Sequence, residues 1–453
     1  MHLYLSKIKL NLITMKNPAH LKHSPIVVEL QAILKAKPEI ESALLLSLQA
    51  ANISAKETLD SDLYNAYNDE FNGNGWPTTI AQYYDYLDMY VRLVPDESDD
   101  PNYPDAWKST SQTNGYNQKV YDLLCQFYWL VDQKVEGSGL SLQSFPAFAE
   151  WLVDFAKAWG HFLDTTESLT KESYYSFRHN PMYNYPLYGD NSESWTTFNE
   201  FFYREFNNAD AVTGISPLRP IAAPDDNTTV VAPADCTFKQ DYVIDSEGNV
   251  LGKDGKITQD RLKNTHTIGT IDELLDNSQY SKDFYGGTFV HYFLGPYDYH
   301  RFHTPVSGQV LEIKDINGKV FLNVDLIGGQ WDAPDGAEDG YEFNQARGLV
   351  IVDGGEKVGK VAILPIGMAQ VSGVMMYTKD NPPKGVPAEK LIAEGDTVVK
   401  GREFGKFRFG GSDIIMVFEK PVEDLYMFKA DPGHVPIHFQ YGQTAIYVQE
   451  QNS

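Results

Sequence analysis

The sequence predicts an α+β fold in which an N-terminal helical domain precedes a mixed, β-dominated domain. Two observations carry this. Between Ser24 and about Phe177 apolar residues recur at the three- and four-residue spacing of buried helix faces, whereas from about residue 195 short β-branched and aromatic runs alternate with turn residues. The length, 453 residues of which 42% are hydrophobic, leaves room for two or three domains.

Residues 1–23 read as a poorly ordered N-terminal extension, in which Lys7 and Lys9 interrupt an apolar stretch too short to span a bilayer. Met15 competes with Met1 as the natural start. The helical domain covers 24–177. Its first helix, "SPIVVELQAILK" (24–35), opens with Ser24 as N-cap and Pro25 at the first helical position, and sets Ile26, Leu30, Ile33 and Leu34 on one face. The spacing recurs at 79–94, 116–135 and 145–163, with a polar, Pro-containing loop at 94–105 between them. Aromatic stripes on these helices read first as core packing. Residues 178–194 form a connector whose "NPMYNYPLYG" (180–189) offers Tyr183 and Tyr185 as pocket residues, against the plainer reading of a structural loop. In the second domain, 195–453, strands are expected within 229–238, 286–296, 308–327, 348–367 and 401–419. Asn317-Gly318 predicts a type I′ hairpin, because both central residues of that turn need positive φ.

A formal charge of -25 argues against nucleic acid and anionic lipid surfaces as partners and favours a small-molecule substrate. Cys125 and Cys236 lie far apart in unlike contexts, so neither a disulfide framework nor a CxxC metal site is expected. These features, with no apolar run of spanning length, suggest a soluble, cytoplasmic protein.

Three stretches of the second domain carry residues suited to chemistry: "APADCT" (232–237), "YDYHRFHTP" (297–305) and "FGGSD" (409–413). Together they supply Asp235, His300, His303 and Ser412, the residue types of a nucleophile, a base and an orienting carboxylate. Each has a plainer reading. Asp235 alone suits a turn, and Gly410-Gly411-Ser412 alone suits a turn before a strand. His291, His300 and His303 evoke a metal site, but no carboxylate or thiolate partner at ligand spacing supports zinc, and no metal is expected.

In combination and order these stretches resemble the phosphatidylserine decarboxylase family, which is pyruvoyl-dependent and self-cleaving, and whose segments read like LGST, DYHRxHxP and PADG. "TFNEFFYREF" (197–206), "LRPI" (218–221) and "ILPIGMAQVSGVM" (363–375) extend the resemblance over roughly residues 195–430. It implies a pyruvoyl-decarboxylase core in which the Gly411–Ser412 bond breaks by internal serinolysis and Ser412 becomes an N-terminal pyruvoyl group. No external cofactor is then needed. By the same resemblance His303 is the base, Asp235 its orienting partner, and His300 acts in the decarboxylation step; the two cleaved chains stay associated, and a homodimer is expected. The chain departs from the family pattern at Asp413, where Thr is usual, at Cys236 in place of Gly, and in a faint NERV-like stretch at 343–352. Asp413 is placed to disturb the charge balance of the triad or to act as an extra acid or base.

The long acidic helical domain resembles that of the family's soluble branch, which includes L-tryptophan decarboxylases. This implies a free L-amino acid substrate, an aromatic one leading. The alternatives are phosphatidylserine as substrate, or a non-cleaving homologue that only binds.

Overall fold

The structure, a computed structural model, describes residues 22–97, 119–134, 141–178, 180–189, 195–252, 269–333, 341–368, 373–431 and 433–449. The N-terminal extension to residue 21, much of the 94–105 loop, the end of the connector, and residues 369–372 of the 363–375 motif lie outside these. Two compact units divide the chain, one running to Phe162 and including Leu322–Ala333, the other comprising Leu163–Phe321 and the chain from residue 334.

The first unit is helical: α1 (Pro25–Ala36), α2 (Pro38–Thr58), α3 (Ser61–Glu70), α4 (Ile80–Tyr90), α5 (Lys119–Trp129) and α6 (Pro146–Leu163). Helix α1 buries Ile26, Leu30, Ile33 and Leu34 as the spacing predicts. Ser24 holds the N-cap position without capping through its side chain; its N–H instead donates to Asp88 Oδ1 at 2.8 Å. Asp60 and Thr79 do cap α3 and α4, accepting backbone N–H groups of the first turn. The core is aromatic, with Tyr90 against Phe127 at 4.7 Å and Phe127 against Phe155 at 5.2 Å between ring centroids.

One feature of this unit departs from the sequence reading. The hairpin of β7 (Asp325–Ile327) and β8 (Gln330–Asp332) belongs to it rather than to the second domain. Its edges are held by polar side chains: Gln143 exchanges two hydrogen bonds with the Leu322 backbone, at 3.0 and 3.1 Å, and Trp331 Nε1 donates to Tyr67 Oη at 2.6 Å. The expected Asn317-Gly318 hairpin is accordingly not made. Neither residue has positive φ, and a Cβ on Gly318 would sit 2.2 Å from the Gln345 carbonyl carbon, so the glycine is there for close backbone approach.

The boundary also shifts. Residues 163–178, including α7 (Lys171–Arg178), belong to the second unit, because Phe177 packs on Tyr183, Phe198 and Phe201, and Phe198 N donates to Ser168 Oγ at 3.0 Å. This unit also contains α8 (Phe198–Phe202) and α9 (Ile271–Leu274). Its remaining strands are β1 (Thr229–Val231), β2 (Cys236–Ile244), β3 (Val250–Leu251), β4 (Thr288–Leu294), β5 (Arg301–His303), β6 (Gly308–Ile316), β9 (Ala346–Asp353), β10 (Lys360–Gly367), β11 (Val374–Met376), β12 (Thr397–Val398), β13 (Glu403–Phe407), β14 (Ser412–Phe418), β15 (Leu425–Met427), β16 (His438–Phe439) and β17 (Thr444–Val448).

The main sheet runs β12-β6-β9-β10-β14-β4-β2-β16, with β3 on β2, and smaller sheets run β1-β17-β15 and β11-β13-β5. Strand β14 is central, antiparallel to β10 and β4, and all seven of its residues are buried. Strand alternation sends Ile415 and Val417 to the face covered by Ile271, Leu274 and Phe284, and Ser412, Ile414 and Met416 to the other.

Candidate active site

The residues before β14 set the geometry. Gly410 has φ 147°, a conformation that side chains rarely adopt, so the chain turns into the strand where only glycine is unstrained. Asn199, on α8, pins the preceding residue: its Oδ1 accepts the Phe409 N–H at 3.1 Å, while its Nδ2 donates to Asp164 at 2.8 Å. The Gly411 carbonyl accepts the Met368 N–H at 2.8 Å. Beside it the Ser412 hydroxyl is fully buried and has no hydrogen-bond partner among the described residues. The fragment therefore presents a polarised carbonyl next to a hydroxyl not tied to another group among the described residues.

His300 is buried with its ring stacked on Phe202 at 3.8 Å, and Phe202 in turn meets Phe409 edge-on at 5.1 Å. Burial, aided by the Arg204 charge, holds the imidazole well below its usual pKa and so neutral. Phe202 and Phe409 thus connect His300 to the glycine turn.

His303 ends β5. Its Nδ1 lies 2.8 Å from the Gly401 carbonyl and its Nε2 3.2 Å from Tyr299 Oη. The carbonyl can only accept, so Nδ1 carries the proton and Nε2 is the basic nitrogen. Burial pushes the pKa down to about 4, against the pull of Glu403 and the Gly401 carbonyl. The ring also stacks on Tyr441 at 4.0 Å.

Asp235 is brought close to His303 by backbone pairing, since the His303 N–H donates to the Pro233 carbonyl at 2.7 Å. The direct carboxylate–imidazole bond that the family resemblance implies is not made. Asp235 instead accepts from Arg219 at 3.1 Å and from the Tyr441 N–H at 2.8 Å, so its reach to His303 runs through the residue whose ring lies on the imidazole. Burial raises its pKa, while Arg219 opposes that rise. Next to it, burial and the charges of Asp298 and Asp235 keep the Cys236 thiol protonated.

Sequence reasoning missed four residues. Tyr299 sits inside the motif that supplied both histidines, but nothing in its spacing marked it as their hydrogen-bond partner. Glu403 is fully buried: burial alone would raise its pKa, yet Arg301 and Lys390 bring it down to about 2. It accepts from Arg301, from Tyr377 Oη at 2.8 Å and from Lys390 at 3.1 Å, fixing β13 against β5. The pair of Asp298 and His438, 2.8 Å apart, ties the loop before His300 to β16.

Two expectations are corrected. Asp413 does not share the Ser412 side of the sheet; it faces the opposite side, where its Oδ2 lies 3.2 Å from His291 Nε2. His291 is thereby also removed from any metal set with His300 and His303. Tyr183 and Tyr185, offered as pocket residues, are 2% and 5% exposed and pack against Phe177, Phe201 and each other.

The sequence model for phosphatidylserine decarboxylase matches residues 198–447, more than half of the chain and the whole of this site. The chain belongs to the phosphatidylserine decarboxylase family. A phosphatidylserine decarboxylase proenzyme 2 of Oryza sativa subsp. japonica is 31% identical over 243 residues, 53% of this chain and 32% of that protein. A phosphatidylserine decarboxylase proenzyme of Fusobacterium nucleatum is 30% identical over 228 residues, 50% of this chain and 61% of the relative. An L-tryptophan decarboxylase of Psilocybe cubensis is 25% identical over 264 residues, 56% of this chain and 52% of the relative. The matched stretch thus spans between about a third and about three fifths of these relatives. The expectation that an aromatic amino acid leads as substrate is not what these likenesses favour, since the higher identities are to the phosphatidylserine enzymes. No helix among the described residues is long and apolar enough to cross a membrane.

Proposed function

We propose that this chain is a self-cleaving, pyruvoyl-dependent decarboxylase that removes CO2 from the serine head group of phosphatidylserine. The observation that carries the reading is the Gly411 carbonyl held by the Met368 N–H beside the buried Ser412 hydroxyl.

The Ser412 hydroxyl attacks the Gly411 carbonyl carbon, and His303, neutral with Nε2 unprotonated, takes the hydroxyl proton. The Met368 N–H supports the negative charge that develops on the Gly411 oxygen. As the Gly411–Ser412 C–N bond breaks, the Ser412 nitrogen takes a proton and an ester joins the two residues. Loss of the Ser412 Cα proton then expels the Gly411 carboxylate, and water replaces the nitrogen as ammonia, leaving a ketone at the new N-terminus. That pyruvoyl group supplies an electron sink for the pair released as CO2 departs. His300, oriented by Phe202, is assigned here the delivery of a proton to the substrate carbon: the low basicity of its buried imidazole means that it first takes that proton up from solvent or substrate and then passes it on.

The fold supports lasting association of the two products. Residues 412–418 lie between β10 and β4 with every residue buried, each large apolar side chain contributing roughly 1.5–3 kcal/mol. Asp235 to Tyr441 and Asp298 to His438 also cross the cut.

A second reading, a free L-amino acid such as tryptophan as substrate, is favoured by the likeness to the Psilocybe L-tryptophan decarboxylase. Purified wild type and Ser412→Ala are each given phosphatidylserine in detergent micelles and, separately, L-tryptophan, tyrosine and phenylalanine. Release of CO2 from the lipid by wild type alone is expected. Release from a free amino acid but not from lipid would replace the first substrate with the second, and release from none would remove both.

A further inference from the structure

We infer that His291 is a positioning residue for self-cleavage, setting the start of β14 through a buried charge cluster on the side of the sheet away from the nucleophile. The inference rests on the self-cleavage proposed above.

Asp413 is the second residue after the scissile bond, and its side chain is fully buried. On β4, His291 lies directly opposite Ile415 and so diagonally beside Asp413 on the same face. Its two ring nitrogens each face a carboxylate: Nε2 is 3.2 Å from Asp413 Oδ2, and Nδ1 is 3.8 Å from Glu342 Oε1. Glu342 and His291 are also fully buried. With one carboxylate within hydrogen-bond distance of Nε2 and a second at ion-pair distance from Nδ1, the doubly protonated form of this imidazole would balance buried negative charge. Arg347, on the same face, directs its guanidinium to backbone carbonyls, donating to Leu274 at 2.8 Å, Glu273 at 2.7 Å and Gln345 at 2.9 Å. His291, when protonated, is a cation within ion-pair distance of Asp413.

The consequence for chemistry follows from alternation along a strand. Fixing the Asp413 side chain on one face fixes the Ser412 side chain on the other, and with it the angle at which the hydroxyl meets the Gly411 carbonyl. Without a protonated His291 beside it, a buried carboxylate next to the scissile bond would be driven to seek water, and the start of β14 would move with it.

The test compares self-cleavage of His291→Gln with that of the double variant His291→Gln/Asp413→Asn. Removing the cation should slow cleavage about tenfold or more, and removing the neighbouring negative charge as well should recover most of the loss, as expected for directly coupled residues. A His291→Gln chain that cleaves within about twofold of wild type, or a double variant as slow as the single, overturns the inference. If His291→Gln does not fold while the double variant does, charge balance is still the cause; if neither folds, the shape of the imidazole matters and the inference falls. Thermal unfolding of the same substitutions in a Ser412→Ala chain separates this from the cleavage reading. A wild type that never cleaves defeats that reading, and an unaltered melting point for His291→Gln in the Ser412→Ala chain defeats the charge cluster.

Discussion

Self-cleavage should be almost indifferent to pH between 8 and 5. The base must be neutral to take the Ser412 proton, and burial lowers the His303 pKa from its ordinary 6.5 to about 4. At pH 5 a base with that pKa is about 90% neutral, whereas one at the ordinary value is about 3% neutral, a difference of roughly thirtyfold in rate. Stability has its own dependence, with a definite sign. Because the folded-state pKa lies below the unfolded one, the contribution of His303 is fully present above about pH 6.5 and is lost as the pH falls towards 4, on the order of 3 kcal/mol in all. Precursor made by cell-free translation is transferred to buffers from pH 4 to 8, checked for folding by circular dichroism, and sampled over time on denaturing gels. A first-order rate that varies less than about twofold down to pH 5 is the expected result. A rate that falls tenfold or more between pH 7 and pH 5 in chain that stays folded would refute the assignment of the buried, neutral His303 as base.

Two further outcomes follow from the geometry. Gly410→Ala should slow cleavage and cost about 1–3 kcal/mol in urea unfolding, because φ 147° is strained for any residue with a Cβ. Gly411→Ala should cost less, since among the described residues its Cβ would meet only the Met368 side chain, at 3.2 Å. Glu403→Gln leaves Arg301 and Lys390 with only the half-exposed Glu205 carboxylate between them and should destabilise the Ser412→Ala chain by about 3 kcal/mol; a urea midpoint equal to that of the parent would contradict the buried network.

The helical unit and the chemistry-bearing stretches were legible from sequence, for different reasons. Periodicity of Ile26, Leu30, Ile33 and Leu34 reports a buried face directly, and the helix follows. The family was legible because Asp235, His300, His303 and Ser412 sit in stretches whose joint resemblance is specific, although each alone reads as a turn or a strand end. What the sequence hid is set by tertiary contact. Asn317-Gly318 carries a hairpin signal, yet the close passage of Gln345 and Ala346 uses the glycine for space and sends the chain elsewhere. Asp235 looked like a histidine partner, but Arg219, distant in sequence, reaches it. The side taken by Asp413 depends on strand register, which one residue of slip would reverse, and register becomes visible only when β4 and β10 are in place.

The central claim is that the chain cuts itself between Gly411 and Ser412. Denaturing intact-mass spectrometry of the purified wild type beside Ser412→Ala tests it most directly. The account predicts that wild type gives a large chain ending at Gly411 and a small chain, residues 412–453, with the mass of a pyruvoyl group in place of serine, while Ser412→Ala stays whole. An unbroken wild-type chain would contradict it.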